Sequence, residues 1–245
     1  MVVSRNDIIL KLQSDILRLQ GFKQERGSSS LNSGLGSLVN AFPNSTFPTG
    51  CIHEFLSDSK ESSAATTAFI GGLVNMLSGT SGVTVWISSG RKLFPPALAN
   101  FGLHPERFIF IDLKKERDLL WAMDEALKCE ALTTVIGEID AVTFTESRRL
   151  QLAVEQSNVT GFLIRNTVRN KVATSACVSR WRITSLPGER LDDLPGIGFP
   201  KWQVELLRIR NGKPGTWEVS WRQGGFDTHR LQETPHDIRE HRMLG

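Results

Sequence analysis

From residue 50 to residue 166 the chain alternates short apolar runs with longer stretches of helical period, and that alternation leaves few folds open. The runs at 50–56, 82–89, 107–113, 131–139 and 159–166 are mostly apolar rather than strictly alternating. Strands that read this way are covered on both faces, and parallel neighbours need long crossovers, usually helices, to join them. The intervening stretches supply them. Residues 62–79 place Ala68, Phe69, Leu73, Val74 and Leu77 on one face, and residues 116–129 do the same with Leu119, Leu120, Met123, Ala126 and Leu127. Residues 93–103 and 145–158 predict a short helix and a helix with a polar start. The expected class is α/β, with a mostly parallel central sheet and helices on both faces.

Beyond residue 175 the pattern changes to polar–apolar alternation at 176–186, 201–212 and 216–225, separated by Gly and Pro turns. These segments predict antiparallel strands added at the C-terminal edge of the sheet. They carry Trp181, Trp202, Trp217 and Trp221. A Trp exposed beside Arg would form a partner hot spot, so Trp202 and Trp217 stand as interface candidates against the alternative of core packing.

The ends differ from this core. Residues 1–22 predict an amphipathic helix in which Asn6 caps a stripe of Ile8, Ile9, Leu12, Ile16 and Leu19. That stripe must be buried on its own domain, a neighbouring protomer or a partner, which makes Ile8, Leu12, Ile16 and Leu19 candidates for an interface. Residues 23–35 are polar and rich in Ser and Gly, the composition of a flexible linker. The core is expected over 36–225. Residues 226–245 have little apolar content and read as a disordered tail whose His229, His236 and His241 lack metal-site spacing.

A length of 245 residues with 40% hydrophobic and 22% charged side chains suffices for one sizeable core. Cys51, Cys129 and Cys177 are widely separated and odd in number, which fits neither a disulfide framework nor a metal site and suggests a reducing, cytoplasmic setting. No signal peptide or membrane segment is read at the N-terminus. The formal charge is +3, but residues 161–225 hold eleven Lys or Arg against five Asp or Glu. This asymmetry is compatible with nucleic acid or an acidic partner, and also with solvated strand-edge cations.

Residues 48–69 have the outline of a nucleotide-binding strand, loop and helix without the chemistry. A P-loop needs glycines, so that backbone N–H groups wrap a phosphate, and a Lys followed by Ser or Thr. Ser57 stands where the first glycine is expected, and Ala64 and Ala65 replace the final Gly-Lys. Thr66 and Thr67 keep the hydroxyls. The expectation is a fold retained and an ATPase lost, with no cofactor and no metal.

Over about residues 36 to 225 the sequence resembles the RecA superfamily, with Gly50-Cys51-Ile52-His53-Glu54-Phe55 as first strand and Ser62-Ser63-Ala64-Ala65-Thr66-Thr67 as the degenerate loop. The resemblance implies a RecA-like core. It places the water-polarising glutamate at Gly90 and the magnesium aspartate at Gly137. Within the superfamily the chain is similar to the ImuA family through residues 120–127, 147–153 and 201–212, followed by Pro214-Gly215-Thr216-Trp217. That resemblance implies a role in damage-induced, SOS-linked error-prone translesion synthesis beside an ImuB-like Y-family-related protein and a C-family polymerase. It also implies self-association. Two alternatives stay open: a SulA-like division inhibitor, and a RecA-type ATPase with a rearranged site using Lys60 from an elongated polar loop and Glu138.

RecA recombinases bind single-stranded DNA through loops after the fourth and fifth strands. The corresponding connections here are short. They offer Arg148 and Arg149 after the first, and Arg165, Arg169 and Lys171 in the second, as candidate DNA-binding residues. The second loop has no aromatic for base stacking. Arg148 and Arg149 have an alternative reading as helix-surface residues paired with Glu146 or Glu155.

Overall fold

The computed structural model describes residue 12 and residues 34–79, 82–91, 93–166, 173–189, 198–222 and 224–231. They form a nine-stranded sheet ordered β3-β2-β4-β5-β1-β6-β7-β8-β9. The strands are β1 Ile52–Ser57, β2 Thr84–Ser88, β3 Phe108–Asp112, β4 Thr134–Glu138, β5 Thr160–Asn166, β6 Ser179–Glu189, β7 Phe199–Ile209, β8 Gly215–Arg222 and β9 Gly225–Arg230. Pairings from β3 across to β6 are parallel, and those from β6 to β9 antiparallel. The expected α/β class, mostly parallel sheet and antiparallel C-terminal edge are all present.

Three helices, α1 Lys60–Ser78, α2 Glu116–Leu127 and α3 Phe144–Ser157, cover the sheet. Each parallel strand feeds two cores, which is why its sequence does not alternate. On β1, Ile52 packs with α2 and α3, while Phe55 packs with Phe69, Ile70 and Leu73 of α1. The stretch 93–103 forms a 3-10 helix, Pro95–Phe101, with both prolines in its first turn, where their missing N–H groups cost no helical hydrogen bond.

Cover on both faces holds only for the parallel half. In β7, Trp202, Val204 and Leu206 are buried on the α1 side, while Gln203 and Glu205 remain partly exposed on the other. That second face of the antiparallel half carries cross-strand ion pairs, Arg182–Glu205 at 3.3 Å and Lys201–Glu218, and no described helix lies over it. At the opposite end of the sheet, β3 is half-exposed rather than enclosed, with Ile109 50% exposed, because it is an edge strand.

Alternation also corrects the interface candidates of the second and third antiparallel segments. Trp202 and Trp217 are 3% and 1% exposed and belong to the α1-side core with Trp181 and Trp221. The predicted tail boundary at residue 226 is corrected as well. A hairpin returns the chain as β9, and one inward aromatic anchors it: Phe226 stacks on Phe69 with ring centroids 4.9 Å apart and meets Trp221 edge-on at 5.0 Å. The predicted linker, 23–35, likewise overlaps the core, since Leu35 is fully buried. Two leucines, Leu31 and Leu35, in a polar stretch of Ser and Gly are too few to give a period to read. Ser37 then ties the start of the core to β9 through its backbone N–H, which donates to Thr228 Oγ1 at 2.7 Å. In the N-terminal segment, Leu12 is helical and 54% exposed; Ile8, Ile16 and Leu19 lie outside the described residues.

Candidate functional site

Parallel sheets of this kind place ligands beyond the carboxyl ends of their strands. Here the ends of β1, β4 and β5 open into a cleft of about 1170 Å³, walled by the first turn of α1 on one side and by Phe94 and Phe101 on the other. The degenerate P-loop residues meet at this cleft, but they do not form a loop. β1 passes to α1 through Asp58 and Ser59 alone. Ser59 caps the helix, its Oγ accepting from the backbone N–H of Ser62 at 3.0 Å. Lys60 is therefore the first helical residue, which corrects its placement in an elongated loop.

Ala64, Ala65 and Thr66 fall in the second turn of α1, so their N–H groups point along an uninterrupted helix rather than into a cradle. Ala65 is 5% exposed, and Thr66 Oγ1 lies 3.1 Å from Ser57 Oγ in the buried seam between strand and helix. The Thr66 hydroxyl, one of the two retained from the loop pattern, is thus a packing contact, while Thr67 lines the cleft.

The cleft is also acidic. Among the described residues, Asp58, Glu116, Glu138 and Asp140 line it against the single ammonium of Lys60. Lys60 and Glu138 are thus brought to one cleft, but the net charge opposes a polyphosphate. Glu138 accepts a hydrogen bond from Trp86 Nε1 at 2.9 Å, and Asp140 Oδ1 accepts from the backbone N–H of Asn166 at 3.1 Å. Gly137, the expected magnesium-aspartate position, is buried under α2. A Cβ there would stand 2.5 Å from Met123 Sδ, so any larger residue would have to displace the Met123 side chain. Gly90, the expected glutamate position, is exposed in the bend after β2, with open space around it.

A second polar centre was not singled out from the sequence. Glu54 of β1 is fully buried and receives Arg165 Nη1 from β5 at 2.7 Å, Arg180 Nε from β6 at 2.6 Å and Ser175 Oγ at 2.7 Å. Arg180 also donates to the carbonyl of Ala173 at 2.8 Å, so the cluster fastens the chain entering β6 to the middle of the sheet. Arg165 is corrected accordingly: at 3% exposed and paired with Glu54, it is a structural cation, not a DNA contact. The sequence signal was available in a carboxylate centred in an apolar strand, which must find partners when buried.

Other buried chemistry is quiescent. His53 donates from Nε2 to the Pro48 carbonyl at 2.8 Å and lies 2.6 Å from Ser179 Oγ through Nδ1; burial pushes its pKa down to about 4. Burial raises the Cys51 thiol far above its usual range and that of Cys177 to about 12, so neither is a thiolate nucleophile.

Of the remaining cations, Arg169 and Lys171 lie outside the described residues. Arg148 and Arg149 are exposed on α3, whose start is fixed by a capping box between Thr143 and Glu146. That box holds the Glu146 carboxyl below its usual range, chiefly through the Thr143 backbone N–H. Arg149 Nε pairs with Asp124 of α2 at 3.1 Å, rather than with Glu146 or Glu155. Arg148 lines a separate groove with Phe144, Leu152, Arg208 and Arg210. The exposed tryptophan is Trp121 on α2, at 61%. No helix among the described residues is long and apolar enough to cross a membrane.

No family model matches the chain. In fold, SulA from Pseudomonas aeruginosa aligns with a TM-score of 0.41 at 18% identity, covering 47% of this chain and 97% of that one. In sequence, the Protein ImuA of two Caulobacter vibrioides strains is 32% identical over 225 residues, covering 85% of this chain and 91% of each relative. At that identity and coverage, the chain belongs to the ImuA family.

Proposed function

We propose that this protein is a non-catalytic RecA-fold accessory factor in damage-induced mutagenesis. It acts by protein contacts with an ImuB-like Y-family-related protein and a specialised C-family DNA polymerase during translesion synthesis. It has no ATP cycle, associates with itself, and touches DNA weakly and with strong salt sensitivity. Family membership supports the pathway. The observation that carries the mechanism is the joint between β1 and α1: a helix begun at Lys60 and capped by Ser59 occupies the course a phosphate-wrapping loop would take. Phosphoryl transfer depends on positioning and charge neutralisation, and a cleft whose described lining holds four carboxylates and one lysine favours neither.

Titration calorimetry with magnesium and ATP tests this reading. No heat at millimolar nucleotide is expected; a Kd tighter than about 100 μM, about −5.5 kcal/mol, overturns it. For the pathway, deletion of the gene lowers the frequency of damage-induced mutation, and affinity purification of the tagged protein recovers the ImuB-like partner. Unchanged mutation frequency in the deletion strain removes the pathway assignment.

A further inference from the structure

The face of the sheet bearing α2 and α3 is covered over its parallel half and bare, among the described residues, over its antiparallel half. α3 is the last helix before the bare strands. Along its flank the step in thickness leaves a groove of about 550 Å³. One wall is an α3 stripe at i, i+4 and i+8: Phe144, Arg148 and Leu152. Phe144 and Leu152 are 49% and 51% exposed, two large apolar side chains held open on one helix.

The facing wall is the segment entering β6 and the end of β7. Arg208 Nη2 donates to the carbonyls of Ser175 and Cys177 at 3.0 and 2.8 Å, and Arg210 Nη2 to that of Ala176 at 3.2 Å. These neutral acceptors fix both guanidinium groups without cancelling their charge. Among the described groove residues, Glu155 is the one carboxylate, against Arg148, Arg208 and Arg210.

Charge complementarity therefore selects an anionic occupant. The apolar surface selects among anions: a phosphate backbone is held mainly through its charge, whereas the exposed Phe144 and Leu152 need apolar side chains to cover them. We propose that this groove docks an acidic segment of a partner protein, one in which Asp or Glu alternates with Leu or Phe. The proposal rests on the reading that the chain works by protein contacts, and it names the chemistry of one such contact.

Fluorescence anisotropy on the intact protein tests it, with a short fluorescein-labelled peptide of alternating Asp and Leu as probe. The wild type binds this peptide, and more salt weakens the complex. Arg148→Glu combined with Leu152→Ser weakens binding at least about tenfold. Both positions are exposed and make none of the backbone contacts of Arg208 and Arg210, so the variant keeps the wild-type circular dichroism spectrum. Arg148→Glu alone, a milder change, produces part of the loss. Unchanged affinity in both variants overturns the proposal, as does equal binding of the peptide with Lys in place of Asp. An oligothymidylate that binds more tightly and loses affinity in the same variants assigns the groove to nucleic acid instead. Failure of the peptide while calorimetry still shows no nucleotide binding removes the groove assignment alone and leaves the accessory reading standing.

Discussion

Replacing Glu54 by Gln keeps the shape of the side chain and removes its charge, and the structure fixes how the cost should be distributed. Glu54 is the shared acceptor of two guanidinium groups whose side chains are 4% and 17% exposed. Breaking a buried pair from the side of its common partner leaves both cations without a counter-ion, at a cost of about 3–5 kcal/mol. Arg165→Met removes one donor but leaves Glu54 bonded to Arg180 and Ser175, so its cost should be about 1–3 kcal/mol. For a chain of this size about 1 kcal/mol moves Tm by roughly 2–4 °C, which puts Glu54→Gln about 10 °C below the wild type. Thermal melts followed by circular dichroism, with urea titrations to check that the slope is unchanged, measure both variants. In the double variant the losses should fall short of additivity by about 0.5–3 kcal/mol. Refutation would be a Glu54→Gln loss below about 1 kcal/mol, or an Arg165→Met loss larger than that of Glu54→Gln.

Three further outcomes follow from other parts of the fold. His53 is held neutral, with its folded pKa lowered to about 4 from 6.5, so the unfolded chain binds the extra proton between those values and stability falls as pH drops through that window. Urea midpoints should show a loss approaching about 3 kcal/mol by pH 4, and His53→Gln should flatten that slope. Trp217→Ala should cost about 3–5 kcal/mol as a core deletion, while Trp121→Ala stays within about 0.5 kcal/mol; similar melting curves for the two would contradict their burial. Ser59→Ala removes the cap of α1 and should cost about 1 kcal/mol in urea without creating measurable ATP binding in calorimetry.

Much of the architecture was legible because its causes are local. The alternation of Trp202, Val204 and Leu206 with Gln203 and Glu205 predicts a strand with one buried face, and that strand is found. The same alternation left the tryptophans open to an interface reading, since it does not say which face the rest of the chain covers. The missing Gly-Lys pair was visible in Ala64 and Ala65. The early start of the helix was not, although Ser59 and Ser62 stand at the spacing of an N-cap and its donor. Arg165 read as a loop cation because its acceptor, Glu54, is 111 residues away, and no local pattern reports a pairing of that range. β9 escaped notice because an edge strand needs a single anchor, Phe226, and its remaining residues are as polar as a tail.

The position of β1 sets the schedule on which this molecule can be made. It is the first of the described strands to leave the ribosome, yet it is hydrogen-bonded to β5 and β6, and its nearest partner begins at Thr160. Between Ser57 and Thr160 the ribosome must add 103 further residues, roughly 5–20 s at bacterial and eukaryotic elongation rates. For that interval Ile52, Phe55 and the charged Glu54 wait with both strand edges open. Until the second half of the sheet emerges, those edges have no strand of their own sheet to pair with.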